Sequence, residues 1–495
     1  MNILQLFLLA LPIALAGFIF EAYPRIINKK FGVDIWTHLL YLKEYHKQKK
    51  IPGKIENGFL VSGEYDYPPI FIFILSKFPF KLVEKYEFIF SPFFDSLLVV
   101  LIFNISFYLT GNILLSLVTQ IIYVLTPIIV LENSSATPRS LGYGLFTILF
   151  ISLFLFIQNS QPIFLLIAIV SGAMKFLSHR FTTQGFLFFS VFFSILDKNP
   201  VYLLVFALSF VLGLILSKGF YLKVLRGHLG NLIFWNKNVK YRFFHQIKGS
   251  YKEHKTKDFI FKIYNEFLKF PPFVLAITNP WTLFVFYVFF FSMPLDSLLS
   301  KMVWWVIVSY ILALSTIWTP KLRFLGEGQR YLELSAFPTA FLASNLFFRF
   351  MKTDFKNIII LGYILLGIAS FVTIVVIQRK GIIKDKLRTI TPNMQNMFFY
   401  LKSLKEKPRL LCIPHQITTN TIYHTGCPVF VNASYASISK ISEVYPYIRK
   451  PIREIMKKYN LELIFLNENY AKVGDLRLGK YSVVKKVNNF VLIKP

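Results

Sequence analysis

Up to about residue 377 the chain is a succession of long apolar runs separated by short polar breaks; beyond about residue 405 shorter apolar stretches are set in a polar background. Several of the long runs reach the ~17–25 residues needed to cross the hydrocarbon core of a bilayer. In lipid such runs must be helical, because only a helix satisfies its own backbone groups there. The pattern predicts about eleven transmembrane helices, near 3–20, 88–110, 113–130, 140–157, 161–177, 183–197, 200–217, 272–291, 301–317, 332–349 and 356–377. The run 69–78 is short and opens on Pro68-Pro69, so it reads as a half-helix or interfacial segment. Late in the chain, Arg409 to Ile413, Pro428 to Val431, Leu461 to Phe465 and Asn489 to Ile493 read as short strands, with a helical stretch over 436–459. The expected fold class is an α-helical polytopic membrane bundle, 1–377, followed by a basic linker, 378–404, and a small C-terminal α/β domain, 405–495. No internal repeat of solenoid period is present.

Alternation of spans assigns sides. With a cytoplasmic N-terminus, the outer face receives 21–87, 131–139, 178–182, 218–271, 318–331 and everything after 378. The inner face receives only the turns 111–112, 158–160, 198–199, 292–300 and 350–355. The first run has no basic residues before it, whereas Arg25, Lys29 and Lys30 follow it. Although Ala14-Leu15-Ala16 mimics a cleavage site, an uncleaved first helix is expected. The segment 218–271 carries twelve Lys and Arg and pulls against this orientation through the positive-inside rule. Inverting the chain would still leave the long polar segments together on one face.

Composition supports a membrane solvent: 55% of residues are hydrophobic, 16% are charged, and the mean hydropathy is +0.54. The 55 Lys and Arg against 25 Asp and Glu leave a net charge of +30. These cations crowd loops and the tail, where they face anionic headgroups or a phosphate-bearing lipid; no nucleic-acid module is visible, so membrane lipids rather than nucleic acid are the expected partners. The two cysteines, Cys412 and Cys427, have no metal spacing, and leave a single disulfide open if their segment is extracytoplasmic.

Candidate chemistry lies in the polar breaks. In the first, Gly32-Val33-Asp34-Ile35-Trp36-Thr37-His38 would set Asp34 and His38 on one helical face, one turn apart. That pairing suits general-base or metal-ligand work at an interface, and equally a helix start with an amphipathic histidine. Glu64 and Asp66 precede Pro68-Pro69, either as acids at a helix N-terminus or as ligands for a cation or an acceptor hydroxyl. Three short turns, Thr137-Pro138-Arg139, Ser178-His179-Arg180 and Gly326 to Arg330-Tyr331, each place an Arg before an apolar helix. Snorkelling accounts for any one of them; three on one face would bind a lipid phosphate and stabilise charge developing on it. Asp95, inside the second helix, reads as polar glue between helices. The aromatic and basic segment 218–271 reads as an interfacial amphipathic element that adheres to headgroups or covers the site. No Walker A loop, H-E-x-x-H or dinucleotide fingerprint is present, while Asn133-Ser134-Ser135 and Asn432-Ala433-Ser434 fit the glycosylation acceptor pattern.

In layout the chain resembles the GT-C superfamily of membrane glycosyltransferases, which use polyprenyl-phosphate sugars and include protein mannosyltransferases, oligosaccharyltransferase catalytic subunits and aminoarabinose transferases. The resemblance lies in a first helix, an outer loop with an early acid (Asp34) and a later Tyr67-Pro68-Pro69 half-helix, many further helices, a long late outer loop and a soluble C-terminal domain. The chain has Gly-Val-Asp in place of an acidic doublet, and its tail has no W-W-D-type signature, which argues against an oligosaccharyltransferase. The resemblance implies a hexosyltransferase-like enzyme in the cell membrane with its site on the extracytoplasmic side. It implies catalytic Asp34, His38, Glu64 and Asp66, with Asp34 deprotonating an acceptor hydroxyl that attacks the anomeric carbon with inversion. Arg139, His179, Arg180, Arg330 and Tyr331 would bind the donor phosphate, and Asp34 and Asp66 would hold any divalent cation. The implied partners are a polyprenyl-phosphate-sugar donor, membrane lipids and an acceptor glycan, lipid or protein. A polysaccharide polymerase is the second enzyme reading. A lipid-linked oligosaccharide flippase or other transporter would need repeats and polar or broken helices at the midplane, whereas the candidates here cluster at one surface.

Overall fold

The computed structural model describes residues 2–32, 34–55, 58–61, 64–134, 137–239, 245–247, 270–291, 296–386, 388–431 and 442–495. Much of the second half of the basic segment 218–271, the triplet at Asn432 and the start of the stretch 436–459 lie outside these residues.

The apolar runs form helices, and their ends follow from local chemistry. The first stretch gives α1 (Ile3–Ile27), α2 (Asp34–Gln48), strand β1 (Phe59–Val61), the short helices α3 (Ile70–Leu75) and α4 (Phe80–Tyr86), and α5 (Phe90–Thr110). Asn2 and Gln5 cap α1 reciprocally, and Gly111 ends α5 at φ 64°, a conformation glycine adopts without strain. There follow α6 (Ile113–Val124), α7 (Pro127–Asn133), α8 (Arg139–Asn159), α9 (Pro162–Phe176), α10 (Arg180–Leu196), α11 (Val201–Leu216) and α12 (Phe220–Asn238). Proline opens both α7 and α9, where its missing N–H costs nothing. Next come α13 (Pro271–Thr278), α14 (Thr282–Phe291), α15 (Ser297–Trp318), 3-10 turns at Pro320–Leu325 and Gly328–Ser335, α16 (Ala336–Phe350) and α17 (Lys356–Gln378). The C-terminal part contains α18 (Pro392–Ser403), β2 (Leu410–Ile413), α19 (Thr418–Thr425), β3 (Val429–Val431), α20 (Ile452–Lys458), β4 (Leu463–Asn467), β5 (Ser482–Val487) and β6 (Phe490–Lys494).

The eleven runs are helical, but length and composition alone do not confirm that each is a span. Among the described residues, five helices are long and apolar enough to cross a membrane alone, within Leu4–Ile27, Phe80–Thr110, Arg139–Asn159, Ser297–Trp318 and Lys356–Ile383. Three further pairs qualify only if each is one broken span, which gives up to eight. Two of these pairs, α6 with α7 and α13 with α14, bend by 60° and 112°. An apolar run reads alike whether straight or bent, so the bends escaped the hydropathy pattern.

The chain divides into two compact units. The first comprises Met1–Lys29, Phe88–Tyr221 and Thr256–Lys384, and the second Lys30–Glu87, Leu222–Lys255 and Asp385–Pro495. In the first unit, Phe146, Phe150 and Phe154 recur every four residues along α8 and pack on Phe189 and Phe193 of α10 and on Trp305 of α15. Trp305 is fully buried, and its indole N–H donates to the Leu334 carbonyl at 2.9 Å. Many large apolar side chains of α1, α11 and α17 are exposed, as lipid-facing surfaces require.

The second unit is built on a six-stranded sheet of order β1-β3-β2-β4-β6-β5, parallel from β1 to β4, with β6 antiparallel to β4 and to β5. The four strands expected late in the chain are present. β1 was not expected: this three-residue strand of the first polar segment pairs Phe59 with Val429 and Val61 with Val431. Phe234 and Ile247, from the basic segment, join the core beneath the sheet. The Gln246 side chain binds the Val444 carbonyl and the His415 N–H, which fastens that segment to the C-terminal part. Cys412 and Cys427 are both buried free thiols.

Candidate functional site

In the first unit the candidate site grows from Tyr143. It lies one turn after Arg139 at the start of α8, and the charges of Glu333, Arg139 and Arg330 all act on its hydroxyl. Its ring meets that of His179 edge-on, with centroids 6.1 Å apart. The approach is close because Gly142 faces the 178–182 turn: a Cβ there would lie 2.9 Å from the Cβ of His179 and 3.2 Å from Cγ2 of Thr182. Glycine at 142 thus lets α8 carry Tyr143 against His179.

The arginines are held by acids. Arg139 pairs with Glu132, the penultimate residue of α7, and Arg330 pairs with Glu327 at 2.6 Å. Glu333 sits in the 3-10 turn Gly328–Ser335, is 2% exposed, and feels both Arg139 and Arg330. Of the predicted phosphate-binding residues, the structure brings Arg139, His179 and Arg330 to Tyr143. Arg180, at the start of α10, acts on Tyr221 of α12. Tyr331 is fully buried with its ring 4.7 Å from that of Phe181.

Glu132, Tyr143 and Glu333 were missed by the sequence reading. Glu132 and Glu333 stand at the edges of apolar runs beside the arginine turns, a signal available in the sequence. The 3-10 winding that turns Glu333 inward is not. Two guanidinium groups and an imidazole thus stand around a phenol, with each arginine matched to a carboxylate.

In the second unit, α2 carries both Asp34 and His38. Asp34 is the exposed first residue of the helix, while His38 is 4% exposed and packs edge-on against Tyr67 and Phe71 at 5.7 and 5.4 Å. Burial brings the His38 pKa down to about 4, against the opposing pull of Asp34. Its imidazole is therefore neutral at pH 7. The Tyr41 ring lies tilted against that of Tyr65 with centroids 4.7 Å apart, so the face of α2 bearing His38 and Tyr41 lies against the segment Tyr65-Asp66-Tyr67. Asp66 is buried; Glu64 is exposed and forms an isolated antiparallel bridge with Lys54. Neither acid caps α3, whose N-cap is Pro69 without a side-chain bond. Among the described residues, no group of three or more His, Cys, Asp or Glu side chains is placed to hold a metal ion.

No protein-family model matches the chain, and no curated protein sequence does. Solved structures are similar in fold. The oligosaccharyltransferase of Archaeoglobus fulgidus, crystallised with Zn and sulfate, aligns at a TM-score of 0.54 and 11% identity over 97% of this chain and 72% of that one. The same enzyme tethered to an acceptor peptide containing the NVT sequon aligns at 0.55 and 12% identity over 92% and 69%. AglB of that organism, with an inhibitory peptide and a dolichol-phosphate, aligns at 0.50 and 11% identity over 98% and 74%. The fold is thus similar to that of these oligosaccharyltransferase structures.

Proposed function

We propose that the chain is a multi-pass membrane glycosyltransferase that moves a sugar from a polyprenyl-phosphate-linked donor to an acceptor hydroxyl. The observation that carries this reading is the group Arg139, His179 and Arg330 around Tyr143, on a fold whose oligosaccharyltransferase neighbour has been seen with a dolichol-phosphate. The acceptor oxygen, losing its proton to Asp34, bonds to the anomeric carbon as the bond from that carbon to the phosphate oxygen breaks, with inversion. The electron pair leaves on the polyprenyl phosphate, and Arg139, Arg330 and His179 stabilise the charge that grows there. Arg180 and Tyr331 complete the donor end.

A pKa of about 4 makes His38 a weak base, so Asp34 takes the proton and His38 positions its helix. Glu64 and Asp66 assist at the acceptor, which is a glycan, lipid or protein; the peptide tethered to the neighbouring enzyme supports the last. The neighbour crystallised with Zn supports a divalent cation as cofactor, but the described residues bring no three ligands together to hold one. The sugar is a hexose-like unit. The bundle passes the membrane about eleven times, with the cluster at its extracytoplasmic end and 405–495 as a domain outside.

The test is incubation of the purified protein with polyprenyl-phosphate sugars, following released polyprenyl phosphate. Asp34→Asn should lower the rate by about a hundredfold or more, the scale of lost general-base catalysis, and Arg139→Ala with Arg330→Ala by a comparable factor through lost charge stabilisation. Release from none of the donors, or full activity in Asp34→Asn, sinks the proposal.

A further inference from the structure

A second polar group lies inside the first unit, and the mechanism above does not use it. Glu21 of α1 and Asp95 of α5 are 2% and 4% exposed, and their side chains hydrogen-bond to one another across two helices that pack together. Two carboxyl groups in contact in apolar surroundings favour sharing one proton, because like charges repel most strongly where burial leaves them unscreened. The Tyr123 hydroxyl of α6 donates to Oδ1 of Asp95 at 2.8 Å. The Asn133 amide, at the end of α7, donates to Oε1 of Glu21 at 3.3 Å. One residue on, the Gln378 amide of α17 donates to the Phe20 carbonyl at 2.9 Å and to the Ser134 hydroxyl at 3.5 Å.

These bonds share a destination. Polar glue between α1 and α5 requires only the acid pair, yet Asn133 and Ser134 are both gripped, and both belong to the corner where α7 ends. The residue before them, Glu132, is the partner of Arg139. α7 is the short arm of a bent pair: its body buries Pro127, Ile128, Ile129 and Val130, and these bonds hold its end, where the buried residue is the polar Asn133.

We infer that the Glu21–Asp95 pair is a positioning device for the donor site: by holding Asn133 it fixes Glu132, and through Glu132 the guanidinium of Arg139. The inference rests on the reading of Arg139 as a phosphate ligand. A carboxyl at 21 is not required as such; a group that accepts from Asn133 and donates to Asp95 is.

The experiment measures binding of polyprenyl phosphate to the purified full chain in lipid nanodiscs, without turnover. Asn133→Ala leaves the acid pair intact and cuts the link, so it should keep the melting temperature near wild type and weaken binding about tenfold, the worth of a hydrogen bond to a charged group. Glu21→Ala should weaken it at least as much. Glu21→Gln, whose amide donates to Asp95 and whose carbonyl accepts from Asn133, should restore binding to within about twofold of wild type, the residue of an imperfect isostere. Asn133→Ala binding as wild type, or Glu21→Gln weakened as far as Glu21→Ala, overturns the inference. Should Glu21→Ala not fold, Asn133→Ala and Glu21→Gln decide it alone. Failure of the wild type to bind polyprenyl phosphate overturns the proposed function instead, and with it the premise used here.

Discussion

His38 stands one turn from Asp34, whose charge favours the imidazolium, yet burial between Tyr67 and Phe71 outweighs it and leaves the pKa near 4. Two other histidines of the second unit behave alike: burial brings His415 to about 4, and burial aided by the Lys402 charge does the same for His424. From the ordinary value of 6.5 down to about 4, the unfolded chain binds these protons and the folded chain does not. Stability therefore rises with pH across that window and is lost as pH falls through it. The melting temperature of the purified protein should drop as pH falls from 7 to 4, with a shallower drop in His38→Phe; a melting temperature independent of pH there would refute the three neutral imidazoles. Glu443 acts in a lower window. Hydrogen bonds from Lys458 and Lys450 hold its carboxyl at about 2, so its contribution is present above 4.5 and disappears only as pH falls towards 2.

The ridge of α8 shows how an element is specified. Phenylalanines at 146, 150 and 154 surround Trp305, with ring centroids 5.4 to 5.9 Å from the indole. Trp305→Ala should cost about 3–5 kcal/mol through the cavity it leaves, read as a lowered thermal transition in detergent; an unchanged transition would mean that α8 and α15 do not depend on this contact. That ridge was legible, because a run of apolar residues of this length can only be a helix in lipid. The breaks were not: the turn before Pro127 and the one at Asn279-Pro280 interrupt apolar runs without interrupting hydropathy. β1 escaped for another reason, since three residues carry no periodicity and its pairing with β3 joins positions some 370 residues apart. At the site, the arginine turns were legible from their place before apolar helices. Glu21 and Glu333 were not, since each lies at the margin of a span, and whether a marginal acid turns inward depends on neighbours far along the chain.

At the scale of the whole molecule, α8 gives a ruler: its 21 residues, at about 1.5 Å each, reach roughly 30 Å, the thickness of the hydrocarbon core. Arg139 opens the helix and Asn159 closes it, so within the first unit the arginine cluster and the turn at Ser160 lie at opposite ends of a membrane-length rod. Lys321 follows α15 at the cluster end, where Gly328 approaches Ala313 and Thr316, and both Lys321 and Ser160 are exposed. The proposed orientation puts Lys321 outside and Ser160 inside, against the charge of the basic segment. Since Cys412 and Cys427 are buried free thiols, their replacement by alanine gives a background without cysteine in which single cysteines report the side. With a membrane-impermeant maleimide, Lys321→Cys should be labelled in intact cells and Ser160→Cys only after permeabilisation. The reverse pattern would keep the segregation of the site but move it to the cytoplasmic leaflet, so that the donor would have to be presented there, and the basic segment would then follow the positive-inside rule.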